Sequence, residues 1–225
     1  MSQPAISFLG VGLMGAPMVA RLLEAGFSLT LWNRTPAKAQ VFSGRARLAS
    51  SPAEAVAGAD VVITMLESGQ VVDQVLYQSG AIRQLRQGAL VIDMSSIEPG
   101  LARGHGAQVE ALGGGYLDAP VSGGTRGAQA GTLSIMAGGS DETFVRAAAV
   151  FQPLGTVTHI GPVGSGQLAK LANQAIVGIT IGAVSEALLL AAKGGARPDK
   201  VREALLGGFA GSKILEQHGE RMLAR

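Results

Sequence analysis

Hydrophobic and polar positions change their period along the chain. Short apolar, β-branched runs at residues 5–9, 28–32, 60–66, 89–94, 116–119, 132–137 and 156–160 predict buried strands. The intervals between them show helical patterns. Residues 13–25 form one such stretch, ended by Gly26; Thr35 as N-cap and Pro36 at the first helical position open another. Residues 99–112 and 141–151 predict two more helices. Strand and helix in alternation, with short connections, imply a mostly parallel sheet covered on both faces: an α/β, Rossmann-type doubly wound fold.

The pattern changes after Gly166. Residues 167–193 contain no proline and no turn pair, so one long helix is expected, packed on several sides by its Ala-, Leu- and Gly-rich surfaces. Gly178 and Gly182 are four apart, a spacing that lets another helix approach closely. Gly194-Gly195 ends this helix, Pro198 opens a shorter one closed by Gly207-Gly208, and a last amphipathic helix runs from about Gly211. The expected organisation is a nucleotide-binding domain at residues 1–164, followed by a long helix and the start of an incomplete all-α domain at 165–225.

Composition narrows the classes. Hydrophobic residues are 47% and charged residues 15%, which excludes a disordered chain. The net charge of +2 and scattered arginines argue against a nucleic-acid partner, and the absence of cysteine removes disulfides, thiolate metal sites and thiol nucleophiles. Residues 5–20 resemble a signal-peptide core, but no basic side chain precedes them and glycines interrupt them. Asn33-Arg34-Thr35 fits a glycosylation sequon by chance. The longest uncharged run, residues 171–185, has 15 residues, against roughly 20 for a membrane span. A soluble cytoplasmic protein without a membrane partner is expected.

Gly10-Val11-Gly12-Leu13-Met14-Gly15 is a G-x-G-x-x-G directly after the first strand and opening the first helix. The first glycine permits a tight turn, the second leaves room for a pyrophosphate, and the third lets helix and strand pack closely. Dinucleotide binding is the expectation. At the end of the second strand, where an NAD site places an acid, the chain has Asn33-Arg34-Thr35. A guanidinium there can pair with a 2′-phosphate through two parallel bonds, which favours NADP over NAD.

Further stretches carry a family resemblance. They are Asp93-Met94-Ser95-Ser96-Ile97, Asp118-Ala119-Pro120-Val121-Ser122-Gly123-Gly124, Gly131-Thr132-Leu133-Ser134-Ile135-Met136, and Gly164-Ser165-Gly166 followed by Lys170-Leu171-Ala172-Asn173-Gln174. With the glycine loop they resemble the β-hydroxyacid dehydrogenase family, in order along the whole chain. The later runs, 183–189, 207–210 and 218–222, are most similar to its branch that reduces tartronate semialdehyde to glycerate. The resemblance implies that Lys170 is the general acid in reduction and that Asn173 orients substrate or lysine. It implies that Ser122, Gly123 and Gly124 hold the substrate carboxylate, and that Met65, Leu66 and Ser96 contact the cofactor, with Ser95 a less certain neighbour. Asp118 is expected to be a structural strand-end residue. No metal is required: His105, His159 and His218 lack ligand spacing and are expected at the surface or satisfied.

Alternatives within the enzyme class are 3-hydroxyisobutyrate, succinic semialdehyde and glyoxylate-type substrates, because a carboxylate loop does not choose among them. An imine reductase fits less well given Lys170, and a 6-phosphogluconate enzyme would be longer and need a basic pocket. The family pattern continues through more helices than the sequence to Arg225 contains. A catalytically impaired NADP-binding fragment is therefore the competing expectation. Exposed apolar faces on the long helix would seek a partner, so a homodimer or higher homo-oligomer, with domain swapping open, is expected.

Overall fold

The structure, a computed structural model, describes residues 3–224. The elements follow in the order β1 (Ile6–Leu9), α1 (Gly15–Glu24), β2 (Leu29–Trp32), α2 (Pro36–Gln40), β3 (Arg47–Leu48), α3 (Pro52–Val56), β4 (Val61–Thr64) and α4 (Gly69–Val72). A π-helical turn (Asp73–Gln78) and a 3-10 turn (Ala81–Gln84) lead to β5 (Leu90–Asp93), α5 (Pro99–Ala111), β6 (Gly115–Asp118), β7 (Val121–Ser122) and α6 (Gly124–Ala130). Then come β8 (Leu133–Gly138), α7 (Asp141–Phe151), β9 (Gly155–Gly161), α8 (Ser165–Lys193), α9 (Pro198–Leu206) and α10 (Lys213–Leu223). The chain divides into two compact units, Met1–Lys170 and Leu171–Arg225.

The first unit is built on one sheet of strand order β3-β2-β1-β4-β5-β6-β8-β7, with β9 added alongside β8. Pairing is parallel from β3 to β6. It becomes antiparallel where β8 meets β6 and β7, and parallel again between β8 and β9. Neighbouring residues on a strand point to opposite faces. Accordingly Ile6 and Phe8, Val61 and Ile63, and Leu90 and Ile92 enter one apolar cluster, while Leu9, Val62 and Val91 enter the other. Burial on both faces explains why these strands read as continuous apolar runs.

Register decides where the chemistry can lie. Leu9 pairs with Trp32 and with Thr64, Thr64 with Asp93, and Asp93 with Asp118. The carboxyl ends of five strands therefore stand in one row. The ladder runs one step further: Gly10 N–H donates to Trp32 O, Met65 N–H to Leu9 O, Met94 N–H to Thr64 O and Ala119 N–H to Asp93 O, at 2.7–2.9 Å. In open α/β sheets this edge is where ligands bind.

In the second unit, Val184 and Leu188 of α8 are buried with Leu215 of α10, and Leu205, Leu206, Ile214 and Met222 pack around them. Most of α8 is not covered: Ile176, Ile179 and Leu190 are each at least two-thirds exposed. A side chain added at Gly178 or Gly182 would meet nothing within 4 Å. The expectation of packing on several sides thus fails for the described residues. Helix α8, 29 residues with Lys170, Glu186 and Lys193 as its charges, is also long and apolar enough by length and composition to cross a membrane. The uncharged run at residues 171–185 is continued beyond Glu186 by further apolar residues, which lengthens the apolar stretch.

Candidate active site

The glycine loop has the stereochemistry its spacing requires. Gly10 has φ of 109°, and a Cβ there would collide with Met65 O and crowd Leu66. A Cβ at Gly15 would collide with Gly10 O and press on Phe8 at 3.2 Å, so this glycine sets how closely α1 approaches β1. Gly12 is the opposite case, because a Cβ built on it meets nothing within 4 Å. Its bare backbone borders open space at the amino end of a ten-residue helix. The space, the orphan N–H groups and the helix dipole fit a pyrophosphate. Leu13 is 87% exposed and Met14 half-buried on the same turn.

Beside this loop, Asn33 is used on both sides of its amide. Its Oδ1 accepts from Val11 N–H at 2.9 Å and its Nδ2 donates to Thr35 O at 2.9 Å. Asn33 thereby braces the glycine loop against the turn after β2. Arg34 is exposed and forms no ion pair with any described residue. Thr35 stands at the N-cap of α2, but its side chain makes no capping bond, and the helix lasts five residues.

A buried hydrogen-bond network joins the next two strand ends to the start of α8. Asp93, at the end of β5, accepts from Thr64 Oγ1 at 2.8 Å and from Ser95 N–H at 3.0 Å. Burial pushes its carboxyl above the usual range, against the pull of those bonds. Ser95 Oγ accepts from Leu66 N–H at 3.0 Å, which ties the segment after β4 to the end of β5. Ser96 is exposed between buried Ser95 and Ile97. Gln167, 1% exposed, spans that residue: Ile97 N–H donates to its Oε1 at 3.0 Å and its Nε2 donates to Ser95 O at 2.9 Å. Sequence reasoning missed Gln167.

Asp118 ends β6 as a structural residue. Its carboxylate accepts from Gly164 N–H at 2.6 Å and Gln167 N–H at 2.8 Å, capping the first turn of α8. Burial raises its carboxyl to about 6 even though both backbone bonds favour the charged form. Gly138 and Gly166 leave room for it, since a Cβ on either would press on an Asp118 carboxylate oxygen.

One turn later Lys170 extends its ammonium to Val121 O, 2.8 Å from Nζ. Partial burial lowers its pKa from the ordinary lysine value. Val121 leads directly into Ser122, which pairs with Ser134 on β8, and then into Gly123 and Gly124. Those two glycines are exposed and both have positive φ, 130° and 62°. Their bare amides follow one another on the loop, an arrangement suited to an anion. Lys170 and the Ser122 loop are thus brought together within the first unit. Asn173 belongs to the second unit, where its Nδ2 donates to Gln174 Oε1 at 3.0 Å.

One of the three histidines departs from the expectation. His105 is 2% exposed and stacked on Tyr77 at 4.1 Å, and neither ring nitrogen has a hydrogen bond to any described residue. It is neither a surface nor a satisfied residue. Asp73 Oδ1 lies 3.6 Å from its Nε2, too far to bond. Desolvation lowers its pKa, against the opposing pull of the nearby Asp93 and Asp73. His159 fits the expectation, with Gly139 O at 2.8 Å and Asp141 at 3.2 Å, and His218 is half-buried on α10.

Comparison with known proteins gives the same architecture a family. Residues 5–161 match the family model described as the NAD binding domain of 6-phosphogluconate dehydrogenase. Residues 164–225 match that described as NAD-binding of NADP-dependent 3-hydroxyisobutyrate dehydrogenase. The chain is 44% identical to the 2-hydroxy-3-oxopropionate reductase of Escherichia coli K12, over 98% of its own length and 76% of that protein. It is 40% identical to a 3-hydroxyisobutyrate dehydrogenase of Pseudomonas aeruginosa, over 89% of its own length and 68% of the relative. The structure of Mycobacterium tuberculosis 3-hydroxyisobutyrate dehydrogenase with L-serine superposes with a TM-score of 0.87 at 37% identity, covering 96% of this chain and 74% of that one.

Proposed function

The chain belongs to the β-hydroxyacid dehydrogenase family, and from that premise we propose that it is an NADP-dependent reductase converting tartronate semialdehyde (2-hydroxy-3-oxopropanoate) to glycerate. The class of enzyme, a NAD(P)-dependent β-hydroxyacid dehydrogenase, follows from the family; the substrate and the preference for NADP are our reading. The observation that carries it is Lys170, half-buried, with Nζ 2.8 Å from the carbonyl that leads into the Ser122-Gly123-Gly124 loop. A proton donor beside an anion-accepting loop suits a small aldehyde bearing a carboxylate.

A nicotinamide cofactor, when bound, would supply the hydride for the reduction. The protein's residues do the rest. Ser122 and the N–H groups of Gly123 and Gly124 hold the carboxylate and fix the carbonyl's orientation. Lys170 gives its Nζ proton to the carbonyl oxygen as the C–H bond forms, leaving a primary alcohol and a neutral amine that solvent reprotonates. Asn173, carried over from the family motif, orients the substrate or the lysine. Gly10 to Gly15, with Val11, Leu13 and Met14 between the glycines, would cradle the pyrophosphate; Met65, Leu66 and Ser96 would border the nicotinamide side. Arg34 would pair with the 2′-phosphate, with Asn33 and Thr35 shaping its turn.

Two supports bear on NADP: the exposed Arg34 at the end of β2, and the NADP-dependent family whose model covers residues 164–225. Likeness to 3-hydroxyisobutyrate dehydrogenases keeps 3-hydroxyisobutyrate as the alternative substrate. We place the nucleotide domain at residues 1–164 and the start of the substrate domain at 165–225. Helix α8 lies inside a family match to a nicotinamide enzyme, so we read it as part of a soluble, cytoplasmic protein rather than a membrane span. A second copy covering its apolar face would make the protein a homodimer or larger. NADPH-dependent turnover of tartronate semialdehyde, lost in Lys170→Ala, tests the proposal.

A further inference from the structure

Gln167 stands where the two halves of the proposed reaction meet. Its backbone N–H is held by Asp118 at 2.8 Å, which fixes the first turn of α8 to the end of β6. Its side chain reaches the other way, to the loop after β5. A primary amide has one acceptor and two donors in a plane, and here it meets a matched pair: Ile97 N–H at 3.0 Å and Ser95 O at 2.9 Å. Among the described residues, neither backbone group has another hydrogen-bond partner. The side chain therefore acts as a strand would, closing two bonds around Ser96 and leaving only that residue exposed. Ser95 passes the constraint on to Leu66 N–H through its hydroxyl at 3.0 Å.

We propose that Gln167 is a positioning residue, which locks the Ser95–Ile97 segment to the helix turn that carries Lys170 and so fixes hydride donor and proton donor in one register. The inference rests on the reading of Lys170 as the proton donor and Ser96 as a nicotinamide neighbour. Lys170 follows Gln167 by three residues, close to one helical turn, so a shift of the clasp moves the ammonium relative to the loop. Misplacement by about 1 Å is enough to cost roughly 100-fold in rate.

The test uses Gln167→Met and Gln167→Glu in the full chain. Methionine keeps the length and loses both bonds. Glutamic acid keeps the shape; ionised, it cannot donate to Ser95 O, and protonated, it restores both bonds. Expected for Gln167→Met are a native thermal transition shape, a kcat lower by about 10- to 100-fold, and a larger primary isotope effect with NADPH deuterated at the transferred position. For Gln167→Glu the kcat ratio to wild type should rise as pH falls, while the Gln167→Met ratio stays flat. Taking the ratio removes the titration of Asp93, Asp118 and Lys170, which both proteins share. A folded Gln167→Met with kcat within twofold of wild type overturns the proposal, as does a flat Gln167→Glu ratio.

Amide exchange at Ile97, measured without substrate, separates this idea from the catalytic reading. The clasp predicts at least tenfold faster exchange at Ile97 in Gln167→Met while protection of the sheet is kept. Unchanged exchange overturns the clasp itself. Fast exchange in a chain whose wild type turns over no substrate overturns the catalytic reading, and the positioning role with it.

Discussion

Lys170 Nζ lies 2.8 Å from Val121 O, so the lysine of α8 closes on the strand end that opens into Ser122. The helix reaches this position because Asp118 caps its first turn from the end of β6. Burial lowers the lysine's pKa, which brings its proton nearer to the pH at which a general acid works. Carbonyl reduction needs the protonated form and alcohol oxidation the neutral one. Reduction should therefore fall as pH rises through a pKa below the ordinary lysine range, while oxidation should rise across the same interval. Rate profiles for kcat in both directions check this; parallel profiles would remove the lysine from the role.

The three loop glycines should separate stability from binding. Gly12→Ala meets no atom, so its thermal midpoint should stay within about 2 °C of wild type, as for a surface substitution. Its NADPH affinity should fall at least tenfold as the methyl enters the pyrophosphate space. Gly15→Ala presses on Gly10 O and Phe8 and should lose about 1–3 kcal/mol of stability as an overpacked contact. Calorimetry with NADPH titration distinguishes them; equal behaviour of the two variants would contradict the assignment.

Arg34 is the residue proposed to set cofactor choice. Arg34→Ala should weaken NADPH by about 10- to 100-fold, the worth of one charge-assisted pair, and leave NADH within about twofold. Fluorescence titration with both cofactors gives the ratio. An equal effect on both would mean that Arg34 is only a solvated turn residue.

Asp118 carries a pH signature in stability. Its folded pKa is raised from 3.8 to about 6, so the folded state holds its proton more tightly than the unfolded chain. The stability from this group is present below pH about 4 and is lost as pH rises through about 6. Subtracting the urea-unfolding profile of Asp118→Asn from that of wild type should leave a difference that declines from pH 4 to pH 7. A difference that grows with pH would show that the two backbone bonds outweigh burial.

Much of the fold and part of this site were legible in the sequence, for different reasons. The strands announced themselves because both faces of the sheet are buried, so nearly every residue from Val61 to Thr64 or Leu90 to Asp93 had to be apolar. Gly10, Gly12 and Gly15 were legible because each solves a separate steric problem. The two-residue strand β7 was too short to show a period. The π-helical turn at Asp73–Gln78 was hidden, since its single extra residue per turn leaves no compositional mark. His105 was misjudged because Gly100, Gly104 and Gly106 dilute the apolar stripe of α5, and only the tertiary stack on Tyr77 reveals its burial. Gln167 looked like any polar residue near a helix start. Its partners are 70 and 72 residues away, and nothing local points to them.

Lys170 is proposed as the proton donor in an NADPH-dependent reduction of tartronate semialdehyde. The most direct measurement is NADPH consumption, followed by absorbance, for wild type and Lys170→Ala with this substrate. Wild type should turn over, and the variant should lose about 10²- to 10⁴-fold in kcat, with NADPH affinity kept. A folded wild type that binds NADPH yet consumes none would rule out this role and leave a nucleotide-binding protein in its place.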